Sequence, residues 1–169
     1  MDSVALRAMQ APLKERYRSD PAAAMVTLKA NGTIDAGNIT CKIETGRALS
    51  LAGLHSATGG SGLELCSGDL LLEALVACAG VTLKSVATAL DIPLRSGTVS
   101  AEGDLDFRGT LGVSKDAPVG FASIRLRFDL ETDAPQEKLD ALLRLTERYC
   151  VVLQTIRNGP AIESRIGRQ

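Results

Sequence analysis

The sequence predicts a single α+β domain in which one group of strands precedes a long helix in the sequence and another group follows it. Two observations support this class. Short segments that alternate apolar and polar residues, as half-buried strands do, precede and follow one apolar segment at residues 66–90. The chain of 169 residues is also long enough for a sizeable core, which must be mainly aliphatic because there is no Trp and only two Tyr and three Phe.

Residues 66–90 are predicted to form a helix that is buried in a core or in a subunit interface. Between residues 70 and 81 only Glu73 is charged, so the helix has almost no polar face. Lys84 breaks the apolar run, which we expect to be too short to cross a bilayer. Cys78 lies near the middle of the helix. Three residues share its face at helical spacing: Leu71, Leu75 and Thr82.

Residues 1–22 are predicted to be an N-terminal helical arm, and residues 23–169 the domain proper. The arm has a broken apolar stripe that Pro12 interrupts and Pro21 ends. We expect it to pack on the domain or on a partner subunit. Since the arm mixes charges with apolar residues and lacks the continuous apolar stretch of a secretory signal, we expect a cytoplasmic protein.

Three short strands that form an antiparallel meander are predicted before the central helix, at residues 25–30, 38–45 and 47–54. Asn31-Gly32 is a strong signal for the turn between the first two of them. A loop rich in Gly and Ser follows at residues 55–68, and in it we expect His55 to have no partner.

Two longer strands are predicted after the helix, at residues 96–108 and 121–130, and we expect them to pair as a ribbon. The second alternates inward apolar and outward charged residues: Ile124, Leu126 and Phe128 inward, and Arg125, Arg127 and Asp129 outward. A loop is predicted between the strands. An amphipathic helix then begins near Gln136, a short helical segment follows Cys150, and a last strand is predicted at residues 161–166.

Composition argues against several classes of function. The net charge is -1, without the basic surface that nucleic-acid binding needs, so we expect no nucleic-acid partner. There is one histidine and no CxxC pair, which leaves little for a zinc site or for a Ser-His-Asp or Cys-His catalytic pair. The scarcity of aromatic residues argues against stacking sites for bases or sugars.

The four cysteines differ in their predicted environments. Cys41 alternates with apolar residues in a strand and is most simply a small core residue. Cys66 begins the central helix, and it would lie roughly 18 Å along the helix from Cys78, too far for a disulfide. Cys78 and Cys150 remain, and each is either an inert buried thiol or a reactive one.

Four segments of the chain resemble the OsmC/Ohr family of thiol-dependent hydroperoxide reductases, and the OsmC-like branch most closely. They are LLLEALVACAGVTLKSVA at 70–87, DIPL at 91–94, FASIRLRFDLE at 121–131 and LLRLTERYCVVLQTIRNG at 142–159. The resemblance covers roughly residues 23–168. It implies the OsmC-like fold, a domain-swapped homodimer in which antiparallel sheets wrap around the central helices and the active sites lie at the subunit interface.

The resemblance also implies a chemistry. Cys78 falls on the family's peroxidatic position, and Cys150 on its resolving position. A Cys78 thiolate would attack an organic hydroperoxide and become a sulfenic acid, with which Cys150 would condense to a disulfide. An external dithiol would reduce that disulfide, so no bound cofactor is expected. An apolar setting suits an organic hydroperoxide, although it also raises the pKa of a thiol.

The chain departs from the family at the groups that activate the first cysteine. Ser67 and Gly68 stand where the peroxidases usually have Pro-Glu, and Asp69 is only a neighbouring carboxylate. The turn at residues 31–37 lacks the usual Arg, for which Arg47 and Arg157 are the candidate substitutes. Val151 also replaces the Pro that usually follows the second cysteine. Two alternatives therefore stay open: a non-catalytic dimer that binds an apolar small molecule in its interface pocket, or a dimer with a purely structural role.

Overall fold

The computed structural model describes residues 3–34, 41–43, 53–63 and 66–166. The helices in these residues are α1 Ser3–Ser19, α2 Ser67–Ala89, α3 Phe107–Thr110, α4 Gln136–Tyr149 and α5 Val151–Asn158. The strands are β1 Met25–Ile34, β2 Cys41–Ile43, β3 Ser96–Asp106 and β4 Phe121–Glu131. Short 3-10 turns occur at Pro21–Ala24 and Ser56–Thr58. The predicted α+β class is confirmed.

The described strands form one antiparallel sheet in the order β2-β1-β3-β4. The predicted ribbon is its β3–β4 pair, which runs from Ser96 opposite Glu131 to a bulge near Leu105. The predicted alternation of β4 is also confirmed, because its apolar side chains are half-buried and its charged ones exposed. The sheet therefore has one face that packs against helices and one charged outer face.

The predicted turn at Asn31-Gly32 is wrong. β1 continues through both residues, with Asn31 opposite Ser100 and Gly32 opposite Val99 on β3. A turn here would break the ladder that pairs β1 with β3 from Met25 to Thr33. The backbone bonds of this long ladder outweigh the local preference of Asn-Gly for a turn.

Two other predicted strands are not found as expected. Residues 161–166 form no strand; they are exposed and carry no regular structure, because none of the described strands pairs with them. Of the predicted strand at 47–54, residues 47–52 lie outside the described residues, and Gly53 and Leu54 are not in a strand. The backbone of Cys41 lies in β2, but its side chain is not among the described ones, so its place in the core stays a prediction. The loop predicted between the β3 and β4 strands begins with α3, where Phe107 is buried.

Helix α2 supplies the centre of the core. Its buried residues are Leu72, Leu75, Val76, Ala79, Gly80, Leu83 and Ala87. They pack against β1 and β3 on one side and against α4 and α5 on the other. Burying each large aliphatic side chain contributes about 2 kcal/mol to folding. By length and composition alone, this helix of 23 residues could cross a bilayer, so the expectation that it is too short is wrong.

Helix α1 is continuous, although Pro12 lies inside it. Its last turns are fixed to the domain: Tyr17 is buried, and its hydroxyl donates a hydrogen bond of 2.6 Å to the Ala57 carbonyl. Met9 packs against Gly59, whose φ of +89° ends the 3-10 turn. Tertiary contacts therefore hold the helix across a residue that costs an isolated helix about 3 kcal/mol.

Candidate active site

Helix α2 places Cys78 on its side that faces α4 and α5. Cys78 lies one turn after the fully buried Leu75 and one turn before Thr82, and its own side chain is half-buried. Because side chains at these spacings lie on one helical face, Thr82 is a neighbour of Cys78, and its hydroxyl lowers the pKa of the Cys78 thiol.

The junction between α4 and α5 places Cys150. Its backbone is extended, with φ -70° and ψ 106°, so α4 ends at Tyr149 and α5 begins at Val151 in a new direction. The Cys150 N–H donates to the Thr146 carbonyl at 2.9 Å, and the Cys150 carbonyl accepts from the Gln154 N–H at 2.9 Å. Both helices therefore hold this residue, and its side chain is fully buried.

The fold brings the two thiols together. Cys78 and Cys150 affect each other's ionisation, and both residues are free thiols rather than a disulfide. The contact joins residues that are far apart in the sequence, through the packing of α4 and α5 against α2.

Cys78 is the more acidic of the two thiols. Burial raises the pKa of a thiol, but four neutral donors more than offset burial at Cys78 and hold its pKa below the ordinary value. These donors are the Val152 N–H, the Cys150 S–H, the Thr82 hydroxyl and the Val151 N–H. Cys78 is therefore the thiol that becomes a thiolate.

Cys150 has the opposite tendency. Burial raises its pKa to about 11, the N–H of Leu153 opposes that rise, and the hydrogen bond to Cys78 and the charge of Cys78 add to it. Cys150 thus keeps its proton and offers it to Cys78. The order of ionisation agrees with the roles that the resemblance implies, a nucleophile at Cys78 and a second thiol at Cys150.

The other predicted site residues do not join this pair. Arg157 lies near the far end of α5 and pairs with Glu147 at 3.6 Å, with both side chains substantially exposed. Asp69 lies in the first turn of α2, about 13 Å along the helix from Cys78 by the helical rise. Arg47 lies outside the described residues. The four groups named above that lower the Cys78 pKa are neutral.

The sequence reasoning missed the backbone donors. Thr82 was placed on the face of Cys78, and Val151 was noted as a replacement for Pro, but neither was assigned a hydrogen bond. The signal was available: any residue other than Pro at the first position of a helix offers an N–H without a partner inside that helix. What the sequence did not give was the direction of α5, which aims those groups at Cys78.

A hollow of about 310 Å³ lies between α2, β4, α4 and α5. Leu75 and Leu153, neighbours of the two cysteines, both line it, and Glu147 and Arg157 lie at its edge. The remaining lining is Ile124, Leu126, Phe128, Leu143 and Ile156. The aliphatic and aromatic side chains of this lining can hold an organic group.

A second hollow, of about 380 Å³, lies at the start of α2 and includes Cys66 and His55. The expectation that His55 has no partner is wrong: its ring stacks on Phe107 with centroids 5.0 Å apart, and its Nδ1 accepts the Ala57 N–H at 3.0 Å. Cys66 is a free thiol that makes no capping hydrogen bond. In the described part of the chain, no cluster of three or more His, Cys, Asp or Glu could hold a metal.

The fold and the thiol pair define a class, that of small α+β proteins with two neighbouring cysteines, one in a central helix and one at a helix junction. Within that class, the sequence profile of the family described as OsmC-like protein matches residues 59–165, which include α2, both thiols and α5. The chain belongs to the OsmC-like family, and the resemblance found in the sequence is confirmed.

A solved structure supports the same fold. It is the crystal structure of an OsmC-like hydroperoxide resistance protein from Jannaschia sp. CCS1, which covers 86% of this chain and 95% of its own, with a TM-score of 0.61. The two sequences are 18% identical, so this similarity concerns the fold. A search of curated proteins finds no match.

Proposed function

We propose that the protein is a thiol-dependent peroxidase that reduces organic hydroperoxides with Cys78 and Cys150. What carries this proposal is the interaction of two free thiols with opposite tendencies: the pKa of Cys78 is lowered and that of the buried Cys150 is raised to about 11. Membership of the OsmC-like family supports it, as does the fold shared with a protein named for hydroperoxide resistance.

The first step is attack of the Cys78 thiolate on the terminal oxygen of the hydroperoxide. The S–O bond forms as the O–O bond breaks, so Cys78 becomes a sulfenic acid and the substrate leaves as an alkoxide. The alkoxide takes a proton to become an alcohol. In this proposal the organic group of the substrate occupies the hollow that Leu75 and Leu153 help to line.

In the second step, the Cys150 sulfur attacks the Cys78 sulfenic acid, which forms the disulfide and releases water. Part of what raises the pKa of Cys150 is the hydrogen bond to Cys78 and the negative charge of Cys78. Oxidation makes Cys78 neutral, so Cys150 becomes easier to ionise once the sulfenic acid has formed. An external dithiol then reduces the disulfide by thiol exchange and is itself oxidised to a disulfide.

The working form in this proposal is a domain-swapped homodimer in the cytoplasm, where thiols are kept reduced. Several apolar side chains of α2, α4 and α5 are exposed in one chain: Leu71, Val81, Leu143, Tyr149 and Val151. Such exposed apolar surface is typical of an interface. Light scattering after size-exclusion chromatography should give twice the mass of one chain; a monomer would contradict this part of the proposal.

The decisive test is turnover of cumene hydroperoxide by purified protein supplied with dithiothreitol. We expect Cys78→Ser to lower turnover by at least about 10²-fold, since the nucleophile is removed. The matched control is Cys66→Ser, which should keep turnover. Without dithiothreitol, Cys150→Ser should consume one equivalent of hydroperoxide and stop at a sulfenic acid that dimedone labels at Cys78. Full turnover by Cys78→Ser would overturn the proposal.

The second candidate is a non-catalytic dimer that holds an apolar small molecule, and the apolar hollow favours it. The same experiment separates the two functions. After one equivalent of hydroperoxide, peptide mapping should find a disulfide between Cys78 and Cys150 in a peroxidase. A binding protein would instead keep both thiols reduced while it takes up an apolar fluorescent probe.

A further inference from the structure

One polar side chain of α4 is buried without a hydrogen-bond partner. Thr146 is 1% exposed, and among the described residues its Oγ1 is the only buried side-chain oxygen or nitrogen that makes no hydrogen bond. The other two buried polar side chains in that part of the chain, Thr58 and Asp106, both have partners. A buried hydroxyl without a partner destabilises a fold, so its presence calls for an explanation.

The Thr146 hydroxyl also leaves unused the acceptor that its own helix offers. A threonine in a helix can donate to the carbonyl four residues before it, as Thr88 of α2 does to Lys84 at 2.9 Å. Thr146 has the Leu142 carbonyl at the same spacing but does not bond to it. Since Thr146 lies in the buried stripe of α4, between Leu142 and Cys150, an apolar residue would fit there at a lower cost.

Helical spacing places Thr146 beside Cys150. The Cys150 N–H bonds the Thr146 carbonyl at 2.9 Å, and the Cys150 φ of -70° is that of a helix, so its Cβ lies one helical turn after the Cβ of Thr146. The Cβ atoms of such a pair are about 5–6 Å apart. Both side chains are buried, and α4 packs against α2. A rotation about the side-chain bonds therefore brings the hydroxyl to the Cys150 sulfur.

We propose that the Thr146 hydroxyl donates a hydrogen bond to the Cys150 sulfur when Cys150 loses its proton and attacks the oxidised Cys78. This inference rests on the proposed function and concerns its second step. There the S–S bond forms as the S–O bond of the sulfenic acid breaks, and the proton that Cys150 gives up ends on the water released. A thiolate in an apolar site needs donors, and the Thr146 hydroxyl is available without breaking an existing bond.

The charged groups near Cys150 are engaged elsewhere. On its own two helices, Glu147 pairs with Arg157 at 3.6 Å, and Arg148 lies over a tyrosine ring. On α2, the titratable group that faces Cys150 is Cys78. The two charged residues of α2 nearest to Cys78 in the sequence are each more than a helical turn from it and on other faces: Glu73 and Lys84.

Valine isolates the contribution of the hydroxyl. Thr146→Val keeps the branched shape and deletes the oxygen. Because that oxygen is unbonded in the reduced protein, the variant should fold at least as stably as the unchanged protein. Thr146→Ser keeps the hydroxyl and serves as the rescue. Thr155→Val, at an exposed position of α5, is the matched control.

The measurement is the rate at which Cys150 displaces a small adduct from Cys78, on the full chain in its native assembly. Methyl methanethiosulfonate transfers a methylthio group to the Cys78 thiolate and loses methanesulfinate. Cys150 then attacks the Cys78 sulfur, so the protein disulfide forms and methanethiolate leaves. Peptide mapping of acid-quenched samples between pH 7 and 11 follows the decay of the adduct.

Thr146→Val should slow this decay about tenfold below the midpoint of the pH profile and raise the midpoint by about one pH unit, since it loses a hydrogen bond to a charged sulfur. Thr146→Ser should restore both values, and Thr155→Val should leave both unchanged. An unshifted midpoint in Thr146→Val overturns the proposal even if the rate falls, because a packing defect slows the attack equally at every pH. If Thr146→Val fails to fold by circular dichroism, Thr146→Ala gives the same comparison.

This experiment needs no peroxide, so it is independent of turnover. A protein that shows the shift in Thr146→Val but does not reduce cumene hydroperoxide would refute the proposed function alone. A working peroxidase whose pH profile is the same in Thr146→Val would refute the role of Thr146 alone.

Discussion

The middle and the start of α2 each carry a cysteine, and the two differ in what acts on the thiol. Cys66 precedes the first residue of the helix, where the helix dipole is favourable, but its side chain makes no capping hydrogen bond. Cys78 lies in the apolar interior of the same helix, and N–H groups of α5 help to lower its pKa. Activation of a thiol here depends on donors aimed at the sulfur, which a second helix supplies.

The two regions also differ in what surrounds them. Around the middle of α2, the helix packs against the sheet and against α4 and α5, so Leu75 is fully buried. Near its start, Leu71 lies on the same helical face but is 39% exposed. A fixed geometry for two sulfurs needs the tight packing of the middle region, because a rotamer change of either cysteine would break their contact.

The largest effect that tests this comparison is on stability. Leu75→Ala should lower the free energy of unfolding by about 2–5 kcal/mol, because it leaves a cavity among α2, α4 and α5. Leu71→Ala, the matched variant at the start of α2, should cost less than about 1 kcal/mol on account of its exposure. Chemical denaturation of both variants at one protein concentration measures the difference. Equal losses would mean that the two regions are packed alike.

Much of this arrangement could be predicted because it follows local periodicity. The apolar pattern of residues 66–90 gave α2 almost to the residue, and the alternation of Ile124, Leu126 and Phe128 gave β4 and its buried face. These patterns report burial directly, since an apolar residue on the wrong face would be exposed. The contact of Cys78 with Cys150 was expected through family resemblance and not from the residues alone.

What the sequence did not predict depends on partners distant in the chain. Asn31-Gly32 favours a turn locally, and only the ladder with β3 keeps it extended. The apolar residues of 161–166 alternate like a strand, but among the described strands none offers an edge to them. The donors to Cys78 are peptide groups, which every residue except proline has, so no residue type marks them.

The next effect in size concerns Cys150, the partner thiol of the middle region. Folding raises its pKa to about 11 from the ordinary 9.0, so it stabilises the fold fully below about pH 9 and loses that contribution as pH rises through 11. The loss is at most about 3 kcal/mol. Cys78, whose pKa is lowered, contributes with the opposite sign and at lower pH.

Chemical denaturation of the reduced protein between pH 8 and 11 checks this prediction. Tyr17, whose pKa burial also raises, is present in both proteins, so the difference between the unchanged protein and Cys150→Ser isolates the thiol. The unchanged protein should lose more stability than the variant over this range. If the free energy of unfolding falls equally with pH in both proteins, the pKa of Cys150 is the same in the folded and unfolded states.

The smallest expected effect is on the ionisation of Cys78 when its side-chain donor is removed. Thr82→Val keeps the shape of the side chain but deletes the hydroxyl that donates to the sulfur, so the Cys78 pKa should rise by less than about one unit. Arg157→Ala is the control for activation by a cation. Because Arg157 pairs with Glu147 at the far end of α5, its removal should leave the alkylation midpoint of Cys78 unchanged. If Arg157→Ala shifts the alkylation midpoint of Cys78 more than Thr82→Val does, Arg157 is the main group that lowers the Cys78 pKa, and the peptide N–H groups contribute less.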